Sequence, residues 1–383
     1  MSEKPFQSAL TEADRCVKCG LCLPECPTYR LYSDENESPR GRIALAEGLL
    51  KGNIRLNNRL KEHFDHCLLC RRCERVCPSQ VNYAHLMDTV RSQYAKPKWQ
   101  TRLSQKPDLA YQLLKIARKL PNWLNPDTIR LSKALAPPIA APKHGTYPSI
   151  GSRKGSVGLF LGCITKTAQA SALHAAIKVL TLIGFDVVIS QRQKCCGALD
   201  AHGGRPQLAQ QYAETNHKAF NSDLTAIVGL ASGCTVQLSE QTPKLQAPVQ
   251  DISQFLNQHA DWSQLKIKPL LASCALHQPC SLENILLSSN AVEKILKQIP
   301  QLSFQPLGER GDCCGAAGEH LLSQQAQAKK LRAPLLAQLL ELKPGYLLTS
   351  NIGCALHLAE GAASAGLTIE TLHPIELLAR QLD

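Results

Sequence analysis

Nowhere in this 383-residue chain do roughly 18 consecutive apolar residues occur, so the sequence offers no membrane span. The first residues, MSEKPFQSALTEADR, mix acids and bases and lack the apolar core of a signal peptide. The expectation is a protein made and kept in the cytoplasm, with a peripheral place on the inner face of the cell membrane open to it. Also missing are a P-loop and a G-x-G-x-x-G run opening a helix after a strand. The chain therefore brings no substrate chemistry of its own. Aromatic residues are few, but 44% of the chain is hydrophobic, enough over this length for two or three domains. Acids are scarce in one place. Between Lys96 and Ser156 stand 12 Lys/Arg and only two acids, Asp108 and Asp127. No nucleic-acid-binding motif accompanies that charge, so nucleic acid is not an expected partner.

Cysteine is what the chain has in excess, with 17 in all. Eight of them write one arrangement twice: Cys16, Cys19, Cys22, Cys26 before Pro27, and Cys67, Cys70, Cys73, Cys77 before Pro78. The spacing C-x2-C-x2-C-x3-C-P resembles that of bacterial ferredoxins carrying two [4Fe–4S] clusters. Three cysteines two residues apart wrap one cluster, and the fourth crosses to the other. The resemblance implies Cys16, Cys19, Cys22 and Cys77 for cluster 1, and Cys67, Cys70, Cys73 and Cys26 for cluster 2. Zinc and disulfides are the rivals. Zinc sites use pairs of cysteines rather than such regular quartets, and a cytoplasmic chain argues against disulfides. The prolines after each motif are expected to help release the chain from the ligand loop.

Residues 1–95 hold both motifs, with helical spacing over Arg42–Lys51 and Asn82–Tyr94. The forty residues between Cys26 and Cys67 exceed the connection of a small β-rich ferredoxin, which predicts a helical two-cluster domain. Residues 96–156 form a basic connector broken by prolines. Within it Leu109, Leu113, Ile116, Leu120 and Leu124 fall at helical spacing. Lys115, Arg118 and Lys119 lie among them, and Trp99, Tyr111 and Trp123 nearby. Such a helix could lie on anionic lipid, dock an acidic partner protein, or pack on the core with its charges solvated.

From Val157 onward the chain is an internal duplication with a period of roughly 115–120 residues. Residues 157–266 carry Cys163, Cys195-Cys196-Gly197 and Cys234. Residues 267–383 carry Cys280, Cys313-Cys314-Gly315 and Cys354. Strand and helix alternate in each copy. VGLFLG, FDVVIS and TAIVGL read as strands in the first, with helices over 168–183 and 205–221. In the second, KPLLAS leads toward Cys274 and GYLLTS is a strand, with helices over 282–299 and 319–342. Continuous apolar strands joined by helices predict a parallel sheet covered on both faces. The cysteines fall at strand ends, where open α/β sheets place their sites.

This pattern resembles the cysteine-rich CCG domain of heterodisulfide reductase B subunits and of iron–sulfur subunits of flavin-linked dehydrogenases. The fold class expected is an α-helical two-cluster ferredoxin domain followed by a duplicated α/β (parallel-sheet) cysteine-rich CCG domain. The family's final C-x-x-C is incomplete twice: Gln237 follows Cys234 and His357 follows Cys354. In the heterodisulfide enzymes, five thiolates per repeat support an opened cluster. Here the resemblance implies four: Cys163, Cys195, Cys196 and Cys234, then Cys280, Cys313, Cys314 and Cys354. Those suit one or two further iron–sulfur clusters, with His357 as a candidate replacement ligand. His277, in a family-like H-x-P-C element, reads as a neighbour of the ligands, and Cys274 as a core thiol.

The domain order, with the run Asp34-Glu35-Asn36-Glu37-Ser38-Pro39-Arg40-Gly41-Arg42-Ile43, is similar to the glycolate oxidase iron–sulfur subunit family. Arg40 and Arg42 would then hold cluster charge or dock a partner, unless the run is a solvated turn. The family implies an electron-transfer subunit with no activity alone. It would take electrons from a partner subunit bearing FAD that oxidises glycolate, D-lactate or a related 2-hydroxyacid, and pass them toward quinone at a membrane surface. The alternatives are a heterodisulfide-type disulfide reductase and the electron-transfer subunit of anaerobic glycerol-3-phosphate dehydrogenase.

Overall fold

The structure, a computed structural model, describes residues 4–96, 99–121, 126–308 and 312–383. Pro97, Trp123 and Leu124 of the connector lie outside the described residues.

The N-terminal region is helical. Helices Lys4–Asp14, Pro39–Leu50, Asn58–Asp65 and Tyr83–Ser92 enclose a core of Ala9, Ala13, Ile43, Ala46, Leu60, Phe64, Leu86, Met87 and Val90. Their starts are written in the sequence. Ser38, Asn57 and Asn82 each accept from a backbone N–H of the first turn. Pro39 sits at the start of its helix, where no N–H is needed. Pro27 does the same for helix Pro27–Tyr32, so it opens a helix after Cys26 rather than only releasing the chain.

The rest is α/β. The first repeat builds a sheet from β1 (Gly145–Tyr147), β2 (Gly155–Phe160), β3 (Phe185–Ile189), β4 (Ala226–Gly229) and β5 (Val249–Asp251), in the order β1-β3-β2-β4-β5. Only β1 is antiparallel. The second repeat uses β6 (Ala272–His277), β7 (Leu302–Pro306), β8 (Tyr346–Thr349) and β9 (Glu370–Leu372), in the order β7-β6-β8-β9, all parallel. The strand order repeats, with β6 standing for β2 and β8 for β4.

The helix expected over 168–183 forms as Ala170–Leu182, preceded by a separate short helix, Cys163–Ala168. Two helices expected as single are divided: that over 282–299 is Cys280–Asn284 and then Ser289–Leu296, and that over 319–342 is His320–Ser323 and then Gln325–Leu342. In each repeat a short helix carries the leading cysteine just past the strand, and a longer one follows. The strand toward Cys274 is also displaced. Pro269 has no N–H for the ladder, and pairing with β7 and β8 runs through Ala272–His277 instead. Cys274 falls inside it, 2% exposed, and burial pushes its thiol up to about 12.

One hydrophobic core serves both repeats. Leu173, Leu180 and Val228 of the first pack with Leu276, Val292, Leu348 and Leu377 of the second. The connector helix Pro107–Ala117 contributes no fully buried residue. Its Leu109, Leu113 and Ile116, with Leu120 beyond its end, face outward. Arg118 turns inward and donates to the carbonyls of Ser132 (2.6 Å) and Leu135 (2.9 Å).

Candidate metal centres

All 17 cysteines are free thiols in this structure, and 16 of them converge in four groups. In the ferredoxin-like region each motif folds around a hollow because residues between its cysteines turn left-handed. These are Lys18 (φ 55°) and Gly20 (φ 87°) in the first motif, Leu69 (φ 49°) and Arg71 (φ 58°) in the second. The first hollow is lined by Cys16, Cys19, Cys22 and Cys77. The second is lined by Cys26, Cys67, Cys70 and Cys73. Cys26 and Cys77 have thus crossed over. Cys73, Pro39 and Tyr83 line both hollows, so the two sites share a wall.

The D-E-x-x-x-P-R-G-R-I run builds that wall. Gly41 is obligatory, because a Cβ there would run into the carbonyl of Glu35. Arg40 lines the first hollow, pairs with Glu35 at 2.7 Å and donates to the Lys18 carbonyl at 3.1 Å. Arg42 lines the second and is wholly buried. It pairs with Glu37 and donates to Thr28 Oγ1 (2.9 Å) and to the His63 carbonyl (2.6 Å). Thr28 Oγ1 in turn lies 3.2 Å from Cys26 Sγ. Glu37 is held further by His63 Nδ1 (2.7 Å) and His66 Nδ1 (3.0 Å). A buried guanidinium thus stands beside four sulfurs, where it offsets negative charge.

Each cysteine-rich repeat gathers its sulfurs at the C-terminal ends of parallel strands. In the first, Cys163 opens a helix after β2, Cys195 and Cys196 follow β3, and Cys234 sits in the first turn of helix Ser232–Glu240 after β4. Cys163 and Cys195 are 3.6 Å apart, and Cys196 and Cys234 are 3.2 Å apart. Hydrogen bonds from Cys163 and Cys196 hold the Cys195 thiol well below its usual range. The same bonds, with burial, push Cys163 and Cys196 up.

In the second repeat, Cys280 opens a helix after β6, Cys313 and Cys314 follow β7, and Cys354 begins helix Ile352–Ser364 after β8. Cys280 touches Cys313, Cys313 touches Cys314, and Cys314 touches Cys354. All four thiols are pushed up. For Cys280 the cause is its bond to Cys313, then burial. For Cys313, Cys314 and Cys354 a bond from the preceding thiol pulls down, and burial with the remaining sulfurs outweighs it.

In crowded buried thiols deprotonation is costly, and a thiophilic metal supplies the positive charge that offsets this cost as binding releases the protons. Four sulfurs per group fit an iron–sulfur cluster.

The two histidines part company. His357 lies one turn along the helix from Cys354, and both its nitrogens are engaged. Nδ1 is 3.3 Å from Arg332 Nη1, and Nε2 is 3.2 Å from the Ala328 carbonyl. The histidine that gathers with sulfurs is His277. One of its ring nitrogens, Cys314 Sγ and Cys354 Sγ lie within 4.8 Å of one another. The sequence signal for it was the H-x-P-C element three residues ahead of Cys280, where it read as a neighbour of the ligands, and the structure adds that it ends a strand.

The groups also adjoin one another. Cys280 and Cys70 are close enough that each site's charge raises the other's thiols. Asn284 Nδ2 donates to the Cys70 carbonyl at 3.0 Å, and Arg72 and Arg30 reach Asp312 at 3.2 and 2.6 Å. Ser281, next to Cys280, meets Ser232 at 2.6 Å, two residues before Cys234. The second hollow thus borders the first hollow and the second repeat, the second repeat borders the first, and Arg71 of the second hollow also reaches Glu240 on the helix of Cys234 at 2.6 Å.

The family described as a 4Fe-4S dicluster domain matches residues 12–81, and the family described as a cysteine-rich domain matches 157–239 and 274–359. The chain is 29% identical over 425 residues to the probable glycolate oxidase iron–sulfur subunit of Bacillus subtilis (strain 168), covering 98% of this chain and 96% of that one. It is 30% identical over 394 residues to the glycolate oxidase iron–sulfur subunit of Escherichia coli (strain K12), covering 96% and 94%. It is 26% identical over 409 residues to a subunit of the anaerobic glycerol-3-phosphate dehydrogenase of the same organism, covering 97% and 99%.

Proposed function

The chain belongs to the family of glycolate oxidase iron–sulfur subunits, and from that premise we propose how it works: it takes electrons from a FAD-bearing partner that oxidises a 2-hydroxyacid, and passes them toward membrane quinone. It is the electron-transfer subunit of an oxidoreductase and binds several iron–sulfur clusters. Bound clusters supply one-electron redox chemistry. The chain's own residues supply position, burial and compensating charge. Cys16, Cys19, Cys22 and Cys77 hold one cluster, and Cys26, Cys67, Cys70 and Cys73 the next. The two repeats hold the others through Cys163, Cys195, Cys196 and Cys234, and through Cys280, Cys313, Cys314 and Cys354. Arg40 and Arg42 offset the charge of the first pair.

The observation that carries this reading is the unbroken row of thiol groups, in which each site borders the next. A self-sufficient catalyst has no need of such a row. A relay does. Mixing the anaerobic holoprotein with its FAD-bearing subunit and glycolate or D-lactate should bleach the visible cluster absorbance within the mixing time of the assay. Without that subunit no bleaching is expected. A chain that purifies alone and itself reduces a disulfide would overturn the relay in favour of heterodisulfide-type chemistry. Bleaching by glycerol 3-phosphate alone would reassign the flavoprotein.

The connector supplies the membrane end of the proposal. Leu109 and Ile116 are 50% and 56% exposed, in line with exposed Leu113 and Leu120. Lys115 and Lys119 flank that row and are also exposed. No helix among the described residues is long and apolar enough to cross a membrane. An apolar stripe edged by lysines suits the surface of an anionic bilayer. The chain is expected to float with vesicles containing anionic lipid, and Leu113→Asp with Ile116→Asp to abolish flotation. Equal flotation of parent and variant would remove the membrane from the reading.

A further inference from the structure

The two repeats differ at one position that faces their sites. Strand β2 ends on Phe160, paired across the ladder with Gly229. Strand β6 ends on His277, paired in the same register with Thr349. A polar pair therefore stands in the second repeat where the first has an apolar residue and a glycine. His277 is 1% exposed. Its Nδ1 lies 3.1 Å from Thr349 Oγ1, its Nε2 makes no hydrogen bond of normal geometry among the described residues, and the Asp312 backbone stands near the ring. Buried polar atoms are nearly always satisfied, by protein groups, by water or by a bound group. One of the two ring nitrogens of His277 lies within 4.8 Å of two sulfurs of the second repeat, Cys314 and Cys354.

We propose that His277 supplies a nitrogen ligand, through Nε2, to the metal centre of the second repeat, beside Cys280, Cys313, Cys314 and Cys354. The inference rests on the reading of that repeat as an iron–sulfur site. Three features support it. Imidazole is a good iron ligand. A ligating histidine normally gives its other ring N–H to a fixed acceptor, and the Thr349 hydroxyl is in place for that role. In the tautomer in which Nδ1–H donates to Thr349, Nε2 keeps its lone pair. His357 does not compete, because both its nitrogens are engaged. Nitrogen ligation raises the potential of an iron–sulfur centre. The second repeat's centre should therefore be reduced before that of the first, which has Phe160 at this place.

The test uses the full-length holoprotein with nitrogen-15 in histidine only, partly reduced under anaerobic conditions, read by pulsed EPR. The expected result is a strongly coupled histidine nitrogen, lost in His277→Phe and kept in His357→Gln. Absence of strong coupling in the parent, or its survival in His277→Phe, overturns the assignment. A weak coupling alone does the same and leaves a hydrogen-bonding neighbour. Should His277→Phe fail to fold, the labelled parent still decides. Iron content separates the two readings. If Cys314→Ser keeps the parent's iron, the second repeat holds no iron centre, and the His277 assignment falls with it. If Cys314→Ser loses iron while the parent shows no histidine coupling, only the His277 assignment falls.

Discussion

In the first repeat Phe160 faces Gly229 at the end of the sheet, and in the second His277 faces Thr349. The exchange has a counterpart one helix away. A Cβ at Gly229 would collide with Thr235 Oγ1, and Thr235 follows Cys234 as Ala355 follows Cys354. A threonine thus occupies the same space in both repeats, reaching in from the helix in one and from the strand in the other. Only from the strand is its hydroxyl beside a histidine. From the helix, Thr235 Oγ1 donates to the Ala231 carbonyl of its own helix. The same frame therefore holds two groups of four sulfurs in different surroundings.

The Cys-Cys-Gly turns break the comparison most sharply. Both glycines are left-handed, Gly197 at φ 87° and Gly315 at φ 83°. A Cβ on Gly197 would lie 3.1 Å from Ala209 Cα, while one on Gly315 would lie 2.6 Å from the Ala328 carbonyl oxygen. Left-handed backbone costs an alanine about 1–2 kcal/mol, and forcing atoms into a packed neighbour costs about 1–3 kcal/mol more. Gly315→Ala should lose about 3–4 kcal/mol and Gly197→Ala about 1–2 kcal/mol. Denaturant unfolding of the two holoproteins measures this, and equal losses would mean that the second turn yields as readily as the first.

How much of this was legible beforehand depends on range along the chain. The paired motifs and the strands ending at cysteines follow from short-range pattern, while the crossing of Cys26 and Cys77 was only what the resemblance to two-cluster ferredoxins implied. Local chemistry repeats there because each ligand loop is built from neighbours. The divided helices and the core common to both repeats were not legible, since those outcomes are set by packing between residues about a hundred positions apart. Arg42 was legible as a charge beside a cluster or a partner, but its complete burial was not. Only the fold brings Thr28, Glu37 and His63 around it. His277 was visible as part of a motif. What separated it from His357 was which hydrogen bonds remained unmade, and a sequence does not record that.

A smaller difference concerns the helix that closes each repeat. Asp251 caps Ile252–His259, and His373 caps Pro374–Gln381. Desolvation pushes Asp251 up to about 6. Its folded state binds a proton more tightly than the unfolded chain, so its contribution to stability is full below about pH 4 and falls as pH rises toward 6. Burial lowers His373 to about 4, which reverses the sign: stability is full above about pH 6.5 and falls as pH drops toward 4. Glu376, on the same helix as His373, is pushed up to about 7 by burial and so opposes it. In the first repeat His259, on the helix that Asp251 caps, is lowered by burial and by Lys154 and opposes Asp251 in the same way, so the variant isolates the Asp251 contribution. Asp251→Asn keeps an acceptor for the Ser253 N–H and removes the titration. Between pH 4 and pH 7 it should gain up to about 3 kcal/mol relative to the parent. Unfolding midpoints of both chains across that range decide the matter, and parallel curves would sink it.

The finest distinction is a single hydroxyl. Thr349→Val keeps shape and burial but removes the partner of His277 Nδ1. One hydrogen bond contributes about 1 kcal/mol, so global stability should drop by about that much. Iron content should stay at the parent's value, because every sulfur remains. Loss of iron to a chelator should nevertheless be faster, by about tenfold or more if the imidazole is bound, since the group that orients a ligand is nearly as important as the ligand. If His277 only borders the centre, the chelator rate should not change while the stability loss remains. The first repeat provides the control. With Gly229 and Phe160 in place of the polar pair, its iron should leave at the parent's rate in the same variant. A change confined to the second repeat would trace the difference between the two centres to the pair at the end of β6 and β8.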